Sequence, residues 1–140
     1  MFGEKNDSRA ILMKPLTGMN KSGKAVKDFC INQGLLLSNV HVIVDDIDLP
    51  LGKLRIRPKG GDGCHRGMES IIYHNRDNNF PRIRFGIAVG SKLRPSEQYV
   101  LKDFKKSDQN LADEMIVRAA DAAELIFEDG LNKAMNKYNA

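Results

Sequence analysis

Residues 40–50 read Val-His-Val-Ile-Val-Asp-Asp-Ile-Asp-Leu-Pro. The β-branched run at residues 40–44 is typical of a strand that is buried on both faces of a sheet. It leads into an acidic turn that begins at Asp45. In open α/β sheets, ligands bind beyond the carboxyl ends of the strands. This stretch therefore predicts a buried strand that delivers carboxylates to a functional edge.

The segments on either side alternate between strand and helix patterns. Further strands are predicted at residues 9–15, 53–57 and 82–89. Helices are predicted at residues 22–32, 68–74 and 110–137. Ser22 could cap the first helix, Gly34 ends it, and Gly130 breaks the last one. Residues 93–101 are predicted to form a surface loop or flap. The alternation predicts an α/β fold with helices on both faces of the sheet.

The composition is that of an ordinary folded domain. The 140 residues include 22 Lys and Arg against 18 Asp and Glu, a net charge of +4, and 41% of them are hydrophobic. These values argue against disorder and predict one domain over residues 1–140. The sequence has no run of 18 apolar residues, no secretory signal and no cysteine framework. We therefore expect a cytoplasmic protein, whose mild basicity permits a polyanionic partner without requiring one.

Two segments carry candidate chemistry. The cluster Asp45, Asp46 and Asp48 could orient a histidine or accept hydrogen bonds from a substrate, or it could form an Asx-type turn. Its spacing also suggests Mg²⁺, but no further ligand set supports a metal. The loop at residues 59–67 contains four glycines, and its N–H groups could bind an anion, although a flexible turn is the alternative. The loop matches neither a P-loop nor a Rossmann fingerprint.

Histidines and cations lie on and around this loop. Only His65 is on the loop itself; His41 is expected to be structural within the strand, and His74 to be solvated. A dense set of cations accompanies the loop: Lys53, Arg55, Arg57, Lys59, Arg66, Arg82 and Arg84. Those at 53, 55 and 57 share one face of a strand, which suits phosphates. The alternative is a sheet face protected by charge.

Five blocks of the sequence occur in an order that matches one known family. Residues 14–26 read Lys-Pro-Leu-Thr-Gly-Met-Asn-Lys-Ser-Gly-Lys-Ala-Val, and residues 44–52 read Val-Asp-Asp-Ile-Asp-Leu-Pro-Leu-Gly. Residues 60–68 read Gly-Gly-Asp-Gly-Cys-His-Arg-Gly-Met, and residues 80–87 and 129–136 complete the set. Together these blocks are spread over nearly all of the chain, from residue 14 to residue 136, and resemble those of bacterial-type peptidyl-tRNA hydrolase.

The resemblance implies a three-layer α/β/α sandwich with a mixed sheet. It also implies hydrolysis of the ester between a peptide and tRNA, with no metal or organic cofactor. In the family a histidine general base activates water, and an aspartate, matched here by Asp45, holds its imidazole. The resemblance places Gly18, Met19, Asn20, His65 and Arg66 at the substrate and the tRNA 3′ end. It places Arg55, Arg57 and Arg84 along the tRNA backbone.

The sequence departs from the family pattern near its beginning. The family's first strand, its N-P-G turn and the T-R-H-N segment with the catalytic histidine have no counterpart, so we expect the sandwich to lack that strand and the first helix. Gly18 replaces an aromatic residue, Cys64 a glycine, and Arg66 an asparagine. We expect weak or no hydrolysis by the chain alone. We also expect self-association, an N-terminal fragment supplied in trans, or marginal stability, because two strands would lack a neighbour.

Three functions stay open at this point. The chain could be a hydrolase, a non-catalytic RNA-binding protein derived from the hydrolase fold, or a decayed remnant. His65 is not expected to replace the family's general base, because catalytic geometry tolerates only about 0.5 Å of error. Hydrolysis of peptidyl-tRNA, tRNA binding without hydrolysis, and an unfolded chain would separate the three.

Overall fold

The computed structural model describes residues 2–5, 8–91, 93 and 95–139. The strands are β1 (Phe2–Lys5), β2 (Ser8–Ile11), β3 (Val42–Pro50), β4 (Leu54–Arg57) and β5 (Arg82–Ala88). The α-helices are α1 (Ser22–Gln33), α2 (Arg66–Asn75), α3 (Ser96–Val100), α4 (Lys106–Asp129) and α5 (Leu131–Tyr138). Short 3₁₀ turns occupy Met19–Lys21 and Leu37–Asn39. The predicted alternation of strands and helices is confirmed, with boundaries that differ by a few residues.

The central sheet has three strands in the order β3-β5-β4. β3 runs parallel to β5, with Asp45 beside Phe85, and β4 runs antiparallel to β5, with Arg55 opposite Arg84. β1 and β2 form a separate antiparallel hairpin. The sheet is therefore mixed, as the sequence predicts, and its central strand is β5.

Two hydrophobic clusters cover the two faces of this sheet. On one face, residues of β4 and β5 pack against α4 and α5 around Ile56, Ile83 and Met115, all of which are fully buried. On the other face, β3 packs against α1 and α2 around Met68 and Phe80, which are also fully buried. Apolar side chains therefore project from both faces of the sheet onto helices, and the predicted three-layer α/β/α arrangement is confirmed.

The structure of β3 differs from the prediction. Ile43 is 53% exposed, and the outer edge of β3 has no strand partner among the described residues. The strand is therefore not buried on both faces. Its acidic part belongs to the strand, with a register irregularity where Asp46 Oδ1 accepts the Asp48 N–H at 2.9 Å. His41 precedes β3 and is exposed, so its predicted place inside a buried strand is wrong.

A side chain closes the opposite edge of the sheet. Asn139 follows α5; its Oδ1 accepts the Ile56 N–H at 2.7 Å, and its Nδ2 donates to the Ile56 carbonyl at 2.9 Å. These two bonds replace those that a neighbouring strand would make. β4 is therefore protected at its centre against pairing with another chain.

The helix ends follow the glycines. Gly34, with φ 64°, ends α1, and Gly130, with φ 91°, separates α4 from α5, both as predicted. Ser22 does not cap α1, because it is already helical and its hydroxyl donates to the Met19 carbonyl at 2.8 Å. The predicted flap contains α3, and its residue 94 lies outside the described residues. None of the described helices has the length and apolar character needed to cross a membrane.

Candidate functional site

Asp45 and His65 form the centre of the candidate site. The Asp45 side chain leaves β3 with 36% of its surface exposed, and its Oδ1 lies 3.0 Å from Nε2 of His65, whose side chain is 15% exposed. The pKa of Asp45 is lowered, mainly by the hydrogen bond from His65. Electrostatic attraction from His65 and the Asp45 backbone N–H act in the same direction, while burial opposes them. The carboxylate is therefore ionised at neutral pH.

His65 also caps α2. Its Nδ1 accepts the backbone N–H groups of Gly67 and Met68 at 3.1 and 3.2 Å. An acceptor at Nδ1 places the proton of the neutral ring on Nε2, and this proton is donated to Asp45. Both ring nitrogens are therefore engaged, and the ring has no free lone pair with which to take a proton from water.

The turn Met19–Lys21 lies beside the same helix end. A Cβ on Gly67 would come within 2.7 Å of Met19 Sδ and 2.9 Å of the His65 ring, so only glycine lets the turn and the ring approach this closely. Gly23, just after the turn, donates its N–H to the Ser70 hydroxyl at 3.0 Å and holds α1 against α2. The structure therefore places the Met19 sulfur beside Gly67 and near the His65 ring. Gly18 and Asn20 flank Met19 and are exposed.

A basic basin adjoins this pair. It is lined by Asp46, Arg55, Arg57, Gly61, Gly63 and Arg84. Arg55 and Arg57 are exposed on the open face of β4, as predicted from the alternation. Arg84 lies opposite Arg55 but is 13% exposed; it pairs with Asp46 at 3.1 Å and donates to the Gly61 carbonyl at 2.9 Å. Asp46 thus neutralises one of the three arginines and offsets the repulsion between the two that face each other.

Arg82 does not belong to the basin. The sequence groups it with the exposed cations, but it is 1% exposed and lies 4.3 Å over the Phe80 ring. It donates to the carbonyls of Gly60, Gly61, Asn78 and Phe80. Burial, and to a lesser extent the nearby Arg84, lowers the pKa of Arg82. Nothing in the local sequence separates a buried arginine from an exposed one at this spacing.

Arg66 lies at the first position of α2. Its side chain is 66% exposed and forms ion pairs with Glu69 at 3.4 Å and with Glu97 of α3 at 3.7 Å. It is therefore beside His65 in sequence, while its guanidinium is directed towards α3.

The described residues contain no group of three His, Cys, Asp or Glu side chains that could hold a metal ion.

Comparison with known proteins gives one consistent result. The family model described as peptidyl-tRNA hydrolase matches residues 2–140. A peptidyl-tRNA hydrolase of Thermoanaerobacter sp. (strain X514) is 45% identical over 141 residues, covering 99% of this chain and 76% of the relative. One of Desulforudis audaxviator (strain MP104C) is 42% identical over 138 residues, covering 99% and 69%. The crystal structure of peptidyl-tRNA hydrolase from Acinetobacter baumannii is similar with a TM-score of 0.87 and 32% identity, covering 99% of this chain and 70% of that one.

Proposed function

The chain belongs to the peptidyl-tRNA hydrolase family, and from that premise we propose that it acts on peptidyl-tRNA, at the ester between the peptide and the tRNA. The observation that carries the proposal is the Asp45 carboxylate, held 3.0 Å from an imidazole. The next residue, Asp46, lines a basin with two exposed arginines. An ionised carboxylate beside a phosphate-binding surface suits a reaction at one end of a polyanion.

Ester hydrolysis sets the requirements for this site. A water oxygen bonds to the ester carbonyl carbon while a base takes its proton. The bond from that carbon to the ribose oxygen then breaks, and the ribose oxygen receives a proton. We assign Asp45 the task of holding an imidazole that accepts the first proton. Asp45 itself is a weak base, because its pKa lies below the ordinary value for aspartate.

The binding surface would extend over both sides of this pair. Met19, Gly18, Asn20 and His65 would contact the tRNA 3′ end and the peptide, with Arg66 at the margin. Arg55 and Arg57 would contact the tRNA backbone. Arg84, paired with Asp46, would support them mainly by holding the loop at Gly61.

The proton acceptor is not His65 in the observed arrangement, because both of its ring nitrogens are engaged. We propose that the chain alone hydrolyses its substrate slowly, and that a second polypeptide segment at the open edge of β3 completes the site. A second copy of the chain or an N-terminal fragment in trans would supply that segment. The same engagement of His65 favours one alternative function, an RNA-binding protein without catalysis.

A single-turnover assay tests the proposal. The 140-residue chain, in excess over a labelled peptidyl-tRNA, is compared with Asp45→Asn, and tRNA binding is measured on both. We expect slow hydrolysis by the chain alone, and with an imidazole supplied in solution we expect Asp45→Asn to lower the rate about 10²-fold or more, with tRNA affinity nearly unchanged. Binding without hydrolysis would select the RNA-binding alternative. Hydrolysis that is indifferent to Asp45→Asn would refute the role of Asp45, and absence of tRNA binding would refute both functions.

A further inference from the structure

We propose that Arg82 is a positioning residue. It holds the start of the glycine loop, residues 59–67, and thereby places His65 against Asp45. The proposal deepens the function proposed above, but its test needs neither tRNA nor hydrolysis. Arg82 does not itself line the basin, although it bonds to the backbone carbonyl of Gly61, which does. Its effect would pass through the loop backbone.

The first step is the set of hydrogen bonds that joins Arg82 to the start of the loop. Nη1 of Arg82 donates to the Gly60 carbonyl and, at 3.1 Å, to the Gly61 carbonyl. Nη2 donates to the Asn78 carbonyl at 2.9 Å, and Asn78 in turn accepts the Gly60 N–H at 3.4 Å. One guanidinium therefore ties the start of the loop to the segment that precedes β5.

The second step carries this position to His65. Three residues separate Gly61 from His65, and Asp62 folds them into a turn. Its Oδ1 accepts the Cys64 N–H at 2.6 Å, and its carbonyl accepts the His65 N–H at 3.3 Å. Because of this turn, a displacement of the Gly61 carbonyl should also displace the imidazole of His65. His65 makes three hydrogen bonds of 3.0–3.2 Å that depend on its position.

The third step concerns the choice of arginine. Four carbonyl acceptors bond to three different nitrogens of Arg82, a fork of donors that a guanidinium provides, whereas a lysine offers three donors around one nitrogen. The guanidinium also stacks on Phe80, which a planar cation does best. Among the described residues no carboxylate accompanies Arg82, so carbonyl dipoles alone balance its charge. Replacing it would leave the Gly60 and Phe80 carbonyls without this donor, whereas the Gly61 carbonyl would keep Arg84 and the Asn78 carbonyl would keep the Gly60 N–H.

The experiment compares Arg82→Lys and Arg82→Met with the wild-type chain. The readouts are the thermal midpoint, the ¹⁵N signals of the His65 ring, and hydrogen exchange at the N–H groups of Gly67 and Met68. Arg118→Lys is the matched control, because Arg118 also donates to a backbone carbonyl, that of Gly52, on a different turn.

In a folded Arg82→Lys chain we expect the His65 ring to lose its single Nε2–H tautomer and the two N–H groups to exchange roughly tenfold faster, the scale of one or two net hydrogen bonds. Arg118→Lys should leave the His65 ring tautomer and the exchange rates of the two N–H groups unchanged. A folded Arg82→Lys or Arg82→Met chain with the wild-type tautomer and exchange rates would overturn the proposal.

If neither variant folds, the wild-type chain supplies the test. Its Arg82 Nε–H and its Gly67 and Met68 N–H groups should open together across a urea series. Separate opening free energies would overturn the proposal. Failure of the hydrolysis assay, by contrast, would leave these measurements intact and would count only against the function.

Discussion

The basin predicts how strongly tRNA binding depends on salt. Arg55 and Arg57 are exposed and unneutralised by any carboxylate that the structure describes, whereas Arg84 is paired with Asp46 at 3.1 Å. Each arginine that neutralises a phosphate contributes about 0.7–0.9 to the slope of log K against log salt concentration. Arg55→Ala with Arg57→Ala should therefore reduce that slope by about 1.4–1.8. Between about 50 and 200 mM salt, the affinity of the double variant should therefore fall by roughly tenfold less than that of the wild-type chain.

Fluorescence anisotropy with a labelled tRNA, measured at several salt concentrations, gives the slope directly. The matched control is Lys133→Ala with Lys137→Ala, which removes the same charge from α5, on the opposite layer of the sandwich. The control should leave the slope nearly unchanged, because α5 packs on the face of the sheet opposite to the one that carries Arg55 and Arg57. Arg84→Lys should also have little effect on the slope, since Asp46 already neutralises the cation at this position. Equal slopes for the basin and the control double variants would refute the assignment of the basin to tRNA.

Three further predictions follow from the contacts of single residues. Asn139→Ala should lower the free energy of unfolding in urea by about 1–3 kcal/mol, because both backbone groups of Ile56 lose their partner. An unchanged midpoint would mean that other groups replace the two hydrogen bonds of Asn139. The lowered pKa of Asp45 means that its contribution to stability is present above the ordinary aspartate pKa and is lost as pH falls through the folded value. The His65 Nε2–H signal should therefore persist below pH 3.8, the ordinary value, and its loss near pH 5 would contradict the carboxylate's role. Added imidazole should accelerate hydrolysis by the wild-type chain in a saturable way but not by Asp45→Asn, and equal acceleration of both would mean that Asp45 orients no imidazole.

Most of the fold is predictable from the sequence because local patterns determine it. The alternation at residues 53–57 predicts both the strand β4 and its basic open face, and the positive-φ glycines at 34 and 130 end helices where they are expected to. Where burial depends on remote chain segments, the prediction fails. Residues 40–44 look like a strand buried on both faces, yet Ile43 is half exposed on β3, whose outer edge has no strand partner in the part of the chain that the structure describes. No local pattern reports how many neighbours a strand has.

The acidic segment alone indicates the cluster Asp45, Asp46 and Asp48, and only the family resemblance singles out Asp45. The structure distinguishes Asp45 from Asp46, whose two oxygens bond to Asp48 and Arg84. The roles of Arg82 and Arg84 were not predictable. Both alternate with apolar residues on β5, but Arg82 is buried by a loop some 20 residues earlier in the chain and by Phe80. Their difference lies in what covers them, and this is a tertiary property.

The geometry of Asp45 suggests how one carboxylate could serve two imidazoles. His65 is bound at Oδ1, and no side chain of another described residue bonds to Oδ2. A carboxylate has lone pairs on both oxygens, so a second imidazole could bind at Oδ2 without displacing the first. His65 would then fix the rotamer of Asp45, while the ring at Oδ2, with its other nitrogen free, would take the proton from water. Asp45 is 36% exposed, and the edge of β3 that has no strand partner among the described residues is the side from which a second chain segment could bring such a ring.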